Sequence, residues 1–110
     1  MELAWSPAAV DDLEAAVDYI ESELASPMAA RRLVDSIIEK AQLFADVPGA
    51  GTALRALNGI DTGYRYMVCG NWMVFLECDN GRALVVRVLY AKSDYMRTLF
   101  GETTTSVRAQ

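Results

Sequence analysis

The sequence predicts an α+β fold: an N-terminal strand, an antiparallel helix hairpin, a three-stranded antiparallel meander and a short C-terminal helix. Three observations carry that prediction. Large apolar residues recur at helical spacing through the first half of the chain. After Gly63 the pattern changes to aromatic and β-branched runs separated by glycine- and asparagine-containing turns. The chain has 110 residues, 53% hydrophobic and 23% charged, which suits one ordinary domain over residues 1–101 with a core of its own and a flexible polar tail over 102–110.

Each element has a local reason. Glu2 to Trp5 reads as a short strand, closed by Ser6-Pro7, where Ser6 caps a helix that begins at Pro7. Val10, Leu13, Val17, Ile20 and Leu24 follow at steps of three and four and are expected to form its buried stripe, with Asp11, Asp12, Glu14, Asp18 and Glu21 largely off it. Ser26-Pro27 repeats the cap. The second helix is expected to bury Leu33, Val34, Ile37, Ile38, Ala41 and Phe44 and to stop at Asp46-Val47-Pro48-Gly49. So short a connection makes the two helices an antiparallel hairpin.

Gly49 to Gly63 reads as a loop. Tyr64 to Cys69, Trp72 to Cys78 and Arg82 to Ala91 then read as strands joined by turns at Gly70-Asn71 and Asp79-Asn80-Gly81. Two-residue loops would set residue 69 opposite 72, 65 opposite 76, 76 opposite 85 and 74 opposite 87. Arg65 and Arg87 would then share a face with Met67, Trp72, Val74, Leu76, Val85 and Leu89. Both faces of this sheet are apolar, so the helix hairpin must cover one, and the last helix, with or without a partner, the other. Ser93 to Phe100 is amphipathic and is expected to be that helix, capped by Ser93 and ended by Gly101.

Charge and residue types narrow the chemistry. Ten Lys and Arg against fifteen Asp and Glu give a net charge of -5, which argues against a generic nucleic-acid binder. The imbalance is local: residues 1–49 carry three basic and ten acidic residues (net -7), residues 50–110 seven and five (net +2). The sheet half can therefore still present an anion-binding surface. There is no histidine, which argues against zinc hydrolysis, a Ser-His-Asp triad and histidine-dependent RNase chemistry. Cys69 and Cys78 are too few for a zinc cluster and read as small core residues of a reduced protein; no metal or cofactor is expected. The N-terminus lacks the pattern of a signal peptide, and the apolar run from Tyr66 to Leu76 is too short to cross a bilayer, so a cytoplasmic location without membrane contact is expected.

The order of elements, together with Leu3-Ala4-Trp5-Ser6-Pro7, Asp11-Asp12-Leu13, Asp18-Tyr19-Ile20, Gly63-Tyr64-Arg65-Tyr66, Trp72-Met73-Val74-Phe75-Leu76, Arg87-Val88-Leu89-Tyr90 and the closing Asp94-Tyr95 and Leu99-Phe100, resembles the RelE/ParE superfamily of type II toxin-antitoxin toxins. The resemblance covers nearly the whole chain. It implies a growth-inhibiting toxin neutralised by a cognate antitoxin, and two activities follow from it. RelE-like members cut mRNA in the ribosomal A site without metal; ParE-like members inhibit DNA gyrase and are not known as nucleases.

For cleavage, the primary expectation, the resemblance implies Arg65 and Arg87 as phosphate clamps, Lys92 as a further cation or proton donor, and Tyr90 or Tyr95 as a stacking or acid-base group. Arg55 would bind RNA from the loop before the sheet. For each arginine the alternative is an ion pair with Glu77 or an aspartate, and for Tyr90 it is packing in the core. Tyr90-Ala91-Lys92-Ser93-Asp94 departs from the paired arginines of many relatives, which favours the gyrase alternative, or a weakened toxin that only binds its antitoxin.

Overall fold

A computed structural model of the protein describes residues 1–47 and 49–101. The expected tail, 102–110, lies outside the described residues. In chain order the elements are β1 (Glu2–Trp5), α1 (Pro7–Glu23), α2 (Pro27–Asp46), β2 (Thr52–Arg55), β3 (Asp61–Cys69), β4 (Trp72–Asp79), β5 (Arg82–Tyr90) and α3 (Tyr95–Phe100). The strands form one sheet in the order β1-β5-β4-β3-β2, with β1 parallel to β5 and the other pairs antiparallel.

Both helix starts form as the Ser-Pro pairs dictate. Ser6 Oγ accepts from the Ala9 N–H at 3.0 Å, and Ser26 Oγ accepts from the Ala29 N–H at 3.1 Å. Ser6 also ties the start of α1 to β5, because its hydroxyl donates to the Val86 carbonyl at 2.7 Å and its N–H to the Val85 carbonyl at 3.0 Å. No helix among the described residues is long and apolar enough to cross a membrane.

The buried helix faces differ from the expected ones. On α1 the buried residues are Ala9, Ala16 and Ile20, with Leu13 packed against the same core, whereas Val10 (42% exposed) and Leu24 (59%) turn outward. On α2 they are Ala30, Ile37, Ala41, Phe44 and Ala45, and Ile38 is 47% exposed. Alanines let the hairpin approach the sheet closely, so the helices roll toward their small residues and leave some large apolar ones on the far side.

The segment expected to be a loop contains β2, which pairs Thr52 with Tyr66 and Ala53 with Arg65. Four residues with one irregularity in register are too few to show alternation. The expected three-stranded meander is thus the middle of a five-stranded sheet, with β1 and β2 at its edges. The two tight hairpins form as expected, with Cys69 opposite Trp72 and Asp79 opposite Arg82. Asn80 and Gly81 both take positive φ, 53° and 77°, which the twist of a two-residue turn requires.

Register holds for Arg65 opposite Leu76 and Leu76 opposite Val85, then departs from expectation. A bulge in β5 sets Arg87 opposite Phe75, and Val88, not Arg87, opposite Val74. One extra residue exchanges the faces beyond it. Val88 joins the core under α1 and α2, with Val74, Leu76 and Val85, while Leu89 joins the opposite cluster. Arg65 and Arg87 therefore do not share a face by pairing.

That second cluster holds Phe75, Met73 and Leu54 under Tyr95, Met96, Leu99 and Phe100 of α3, so α3 covers the other face as expected. Its cap is Asp94, which accepts from the Arg97 N–H, rather than Ser93, whose hydroxyl donates to the Tyr90 carbonyl at 2.6 Å. Cys69 is buried, but Cys78 is exposed rather than a core residue.

Candidate functional site

A cleft of about 510 Å³ opens between α1 and the second half of β5. β1 ends opposite Val85, leaving the edge of β5 uncovered beyond it. From there Arg87 reaches Asp12 on α1 in a two-pronged ion pair, Nε to Oδ2 at 2.7 Å and Nη2 to Oδ1 at 2.8 Å. Oδ2 also accepts from the Val88 N–H at 3.0 Å, so one carboxylate neutralises the arginine and satisfies the unpaired strand edge. The hydrogen bond to Asp12, and the charge of that carboxylate, push the Arg87 guanidinium further above its already high ordinary value, against the effect of burial. Arg87 is therefore a fixed cation with no proton to give near neutral pH.

Tyr19, Trp72, Tyr90, Ser93 and Thr98 complete the walls. Trp72 and Tyr90 stand directly opposite across the β4–β5 ladder and meet edge to face at 5.3 Å. Tyr90 is 38% exposed, so it is not packed away in the core. Lys92 is exposed on the turn just after β5. The cleft thus offers a guanidinium, three aromatic rings and four hydroxyls, two of them phenolic, and its one carboxylate has both oxygens engaged. Among the expected acid-base groups, Tyr90 stands in its wall and Lys92 at its rim.

The other expected site residues lie elsewhere. Arg65 donates from Nε to the Ala50 carbonyl at 3.0 Å and from Nη2 to the carbonyls of Gly51 at 2.9 Å and Gly49 at 3.3 Å, tying the chain after α2 to β3. Arg55 donates to the Gly59 carbonyl at 3.1 Å and closes the β2–β3 turn. Tyr95 packs its ring against Phe75 at 5.4 Å. Nearby, Tyr64 stacks on Phe100 at 5.5 Å, and its hydroxyl pKa is raised by burial and by Glu77. Of the six residues, Arg87 and Tyr90 line one cleft and Lys92 adjoins it. Sequence reasoning missed Asp12, Tyr19 and Trp72 as cleft residues. Asp12 carried one usable signal, an acidic residue off the expected apolar stripe, but its partner lies 75 positions away.

Among the described residues no group of three or more Cys, Asp or Glu side chains is placed to hold a metal ion. The sequence pattern of the ParE toxin of the type II toxin-antitoxin system parDE matches residues 3–95. The chain belongs to the ParE toxin family. It is a toxin of a type II toxin-antitoxin system, within the RelE/ParE superfamily.

The match runs from β1 to the first residue of α3, and so takes in every element that builds the cleft except the body of α3. Solved structures share the fold of this ParE-family toxin. A chain of the chromosomal ParDE system of P. aeruginosa superposes with a TM-score of 0.68 at 22% identity, covering 84% of this chain and 97% of that one. A chain of the RelBE2 toxin-antitoxin complex of Mycobacterium tuberculosis gives 0.53 at 18% identity, with 83% and 92% covered. A chain of the RelB-RelE complex of Methanococcus jannaschii gives 0.51 at 20% identity, with 84% and 95% covered. No curated protein matches the sequence.

Proposed function

We propose that this ParE-family toxin inhibits growth by binding DNA gyrase rather than by cutting mRNA, and that a cognate antitoxin neutralises it. The observation that carries the reading is the Asp12–Arg87 pair. A phosphate clamp needs guanidinium donors facing the substrate, and Arg87 directs Nε and Nη2 at a carboxylate of its own chain. Arg65 likewise directs Nε and Nη2 at backbone carbonyls. Membership of the ParE family supports the same side, since ParE-like toxins act on gyrase. The antitoxin follows from the family and from neighbours that are parts of ParDE and RelBE systems.

Purified toxin titrated into a gyrase supercoiling reaction is expected to block supercoiling at near-stoichiometric amounts. Intact supercoiling at excess toxin, together with new mRNA 5' ends within codons on toxin-treated ribosomes, would replace gyrase with the ribosome as target. Intact supercoiling, intact mRNA and no effect of overexpression on growth would leave antitoxin binding as the remaining role.

A further inference from the structure

The turn between β2 and β3 carries two large side chains that the fold does not use. Leu57 is 84% exposed, more than any other large apolar side chain among the described residues, and Ile60 is 64% exposed. Neither belongs to either core cluster.

Other groups hold the turn. The Ala56 N–H donates to the Ile60 carbonyl at 2.9 Å, and the Gly59 N–H to the Ala56 carbonyl at 2.8 Å. Asn58 Oδ1 accepts from the Ile60 N–H at 3.0 Å, and Arg55 Nη1 donates to the Gly59 carbonyl at 3.1 Å. Gly59 supplies the positive φ, 85°, that the reversal requires. Directly below, the Thr62 hydroxyl crosses to the Leu54 carbonyl at 2.7 Å. Polar residues are the usual occupants of such a tip. One exposed apolar residue calls for no explanation, but two on a single braced turn, neither needed for its geometry, form a presented anchor.

We propose that Leu57 and Ile60 insert into an apolar pocket of a folded target protein, which on the gyrase reading, where this inference rests, is DNA gyrase. Shape selects the occupant. A projecting knob needs a preformed cavity, which a folded protein supplies; an extended or helical segment brings side chains that themselves seek a groove. A second copy receiving the knob in one of its hollows would make a head-to-tail contact, which propagates into rings or filaments instead of stopping at a pair. Nucleic acid is a poor match, because Arg55, the one cation of the turn, is offset by Asp61. The bracing keeps the ordering cost of insertion low, since the backbone is fixed before the target arrives. The loop before the sheet thereby serves a protein contact in place of the RNA contact expected of Arg55.

The test is binding of full-length toxin to purified gyrase by surface plasmon resonance, run beside the supercoiling assay. Burying one leucine or isoleucine is worth roughly ten- to hundredfold in affinity. Leu57→Ser and Ile60→Thr are each expected to weaken gyrase binding about tenfold, and the double variant about a hundredfold, with parallel losses of supercoiling inhibition. Leu57→Met, apolar and of similar volume, should stay within about twofold of the wild type. Thermal melts should not move, because both side chains lie in solvent. Met28→Ser, at a 65% exposed apolar position on the helix hairpin, should leave binding unchanged. Wild-type binding that the double variant retains would overturn this proposal alone, and so would an equal loss in Met28→Ser. Self-association of the wild type that the double variant abolishes would place the knob in a second copy and overturn it as well. Failure of wild-type toxin to bind gyrase at all would overturn the gyrase reading and this proposal with it.

Discussion

Asp12 shows how a residue's role depends on what the fold places beside it. By sequence it is one of several acidic residues on a soluble helix. In the structure its side chain is only 13% exposed and joins α1 to β5 through three hydrogen bonds. Asp12→Ala leaves the Arg87 charge and the N–H of buried Val88 without partners, which is expected to cost about 2–4 kcal/mol by urea denaturation. A double-mutant cycle with Arg87→Ala should recover part of that loss, because removing both partners removes the stranded charge; additivity of the two changes would contradict the pairing.

Glu77 makes the corresponding point for pH. Burial, and next the charge of Asp79, raise its carboxyl pKa above the ordinary 4.5. The folded state therefore holds this proton more tightly than the unfolded one. Its contribution to stability is present below about pH 4.5 and is lost as pH rises through the raised value. Glu77→Gln is expected to stabilise the protein at pH 7, by under about 1 kcal/mol because solvent screens the site. It should also flatten the stability profile just above pH 4.5; an unchanged profile between pH 4 and 7 would refute the assignment.

At the scale of elements, the alternating strands and the turns between them were legible because each is defined by contiguous residues. Gly70-Asn71 and Asn80-Gly81 fix their hairpins with no help from the rest of the chain. β2 was not legible, since four residues become a strand only by pairing with β3. The β5 bulge was not legible either. It comes with the tie between Ser6 and Val85–Val86, and it decides which of Val88 and Leu89 meets the helices.

α3 was legible as an element but not in what it does. Tyr95, expected to stack on substrate or act as an acid-base group, packs on fully buried Phe75. Tyr95→Ala should cost about 2–4 kcal/mol by opening the second cluster, and Tyr95→Phe should preserve both stability and toxicity. Loss of toxicity in Tyr95→Phe at unchanged stability would instead assign the hydroxyl to the target interface.

For the whole molecule, the uneven charge has a structural meaning. Of the net -7 in the first 49 residues, -6 lies on the helix hairpin on one side of the sheet, and Glu2 of β1 supplies the rest. Asp12 turns inward and neutralises a sheet arginine, while Glu14, Asp18 and Glu21 stay outside along an apolar seam. Several cations of the sheet half serve the fold: Arg55, Arg65 and Arg87 each bond to groups of their own chain. A count of +2 therefore overstates the anion-binding capacity of that surface.

The sequence by itself determined the class of fold, the starts of α1 and α2, the tight hairpins and the superfamily, because propensity, capping and turn chemistry act between neighbours in the chain. Only the tertiary structure decided which helix faces are buried, where β5 slips by one residue, and that Arg87 meets Asp12 rather than open solvent. These outcomes turn on contacts between residues dozens of positions apart. Close approach of alanines and completion of a strand edge outweigh there the preferences that local spacing displays.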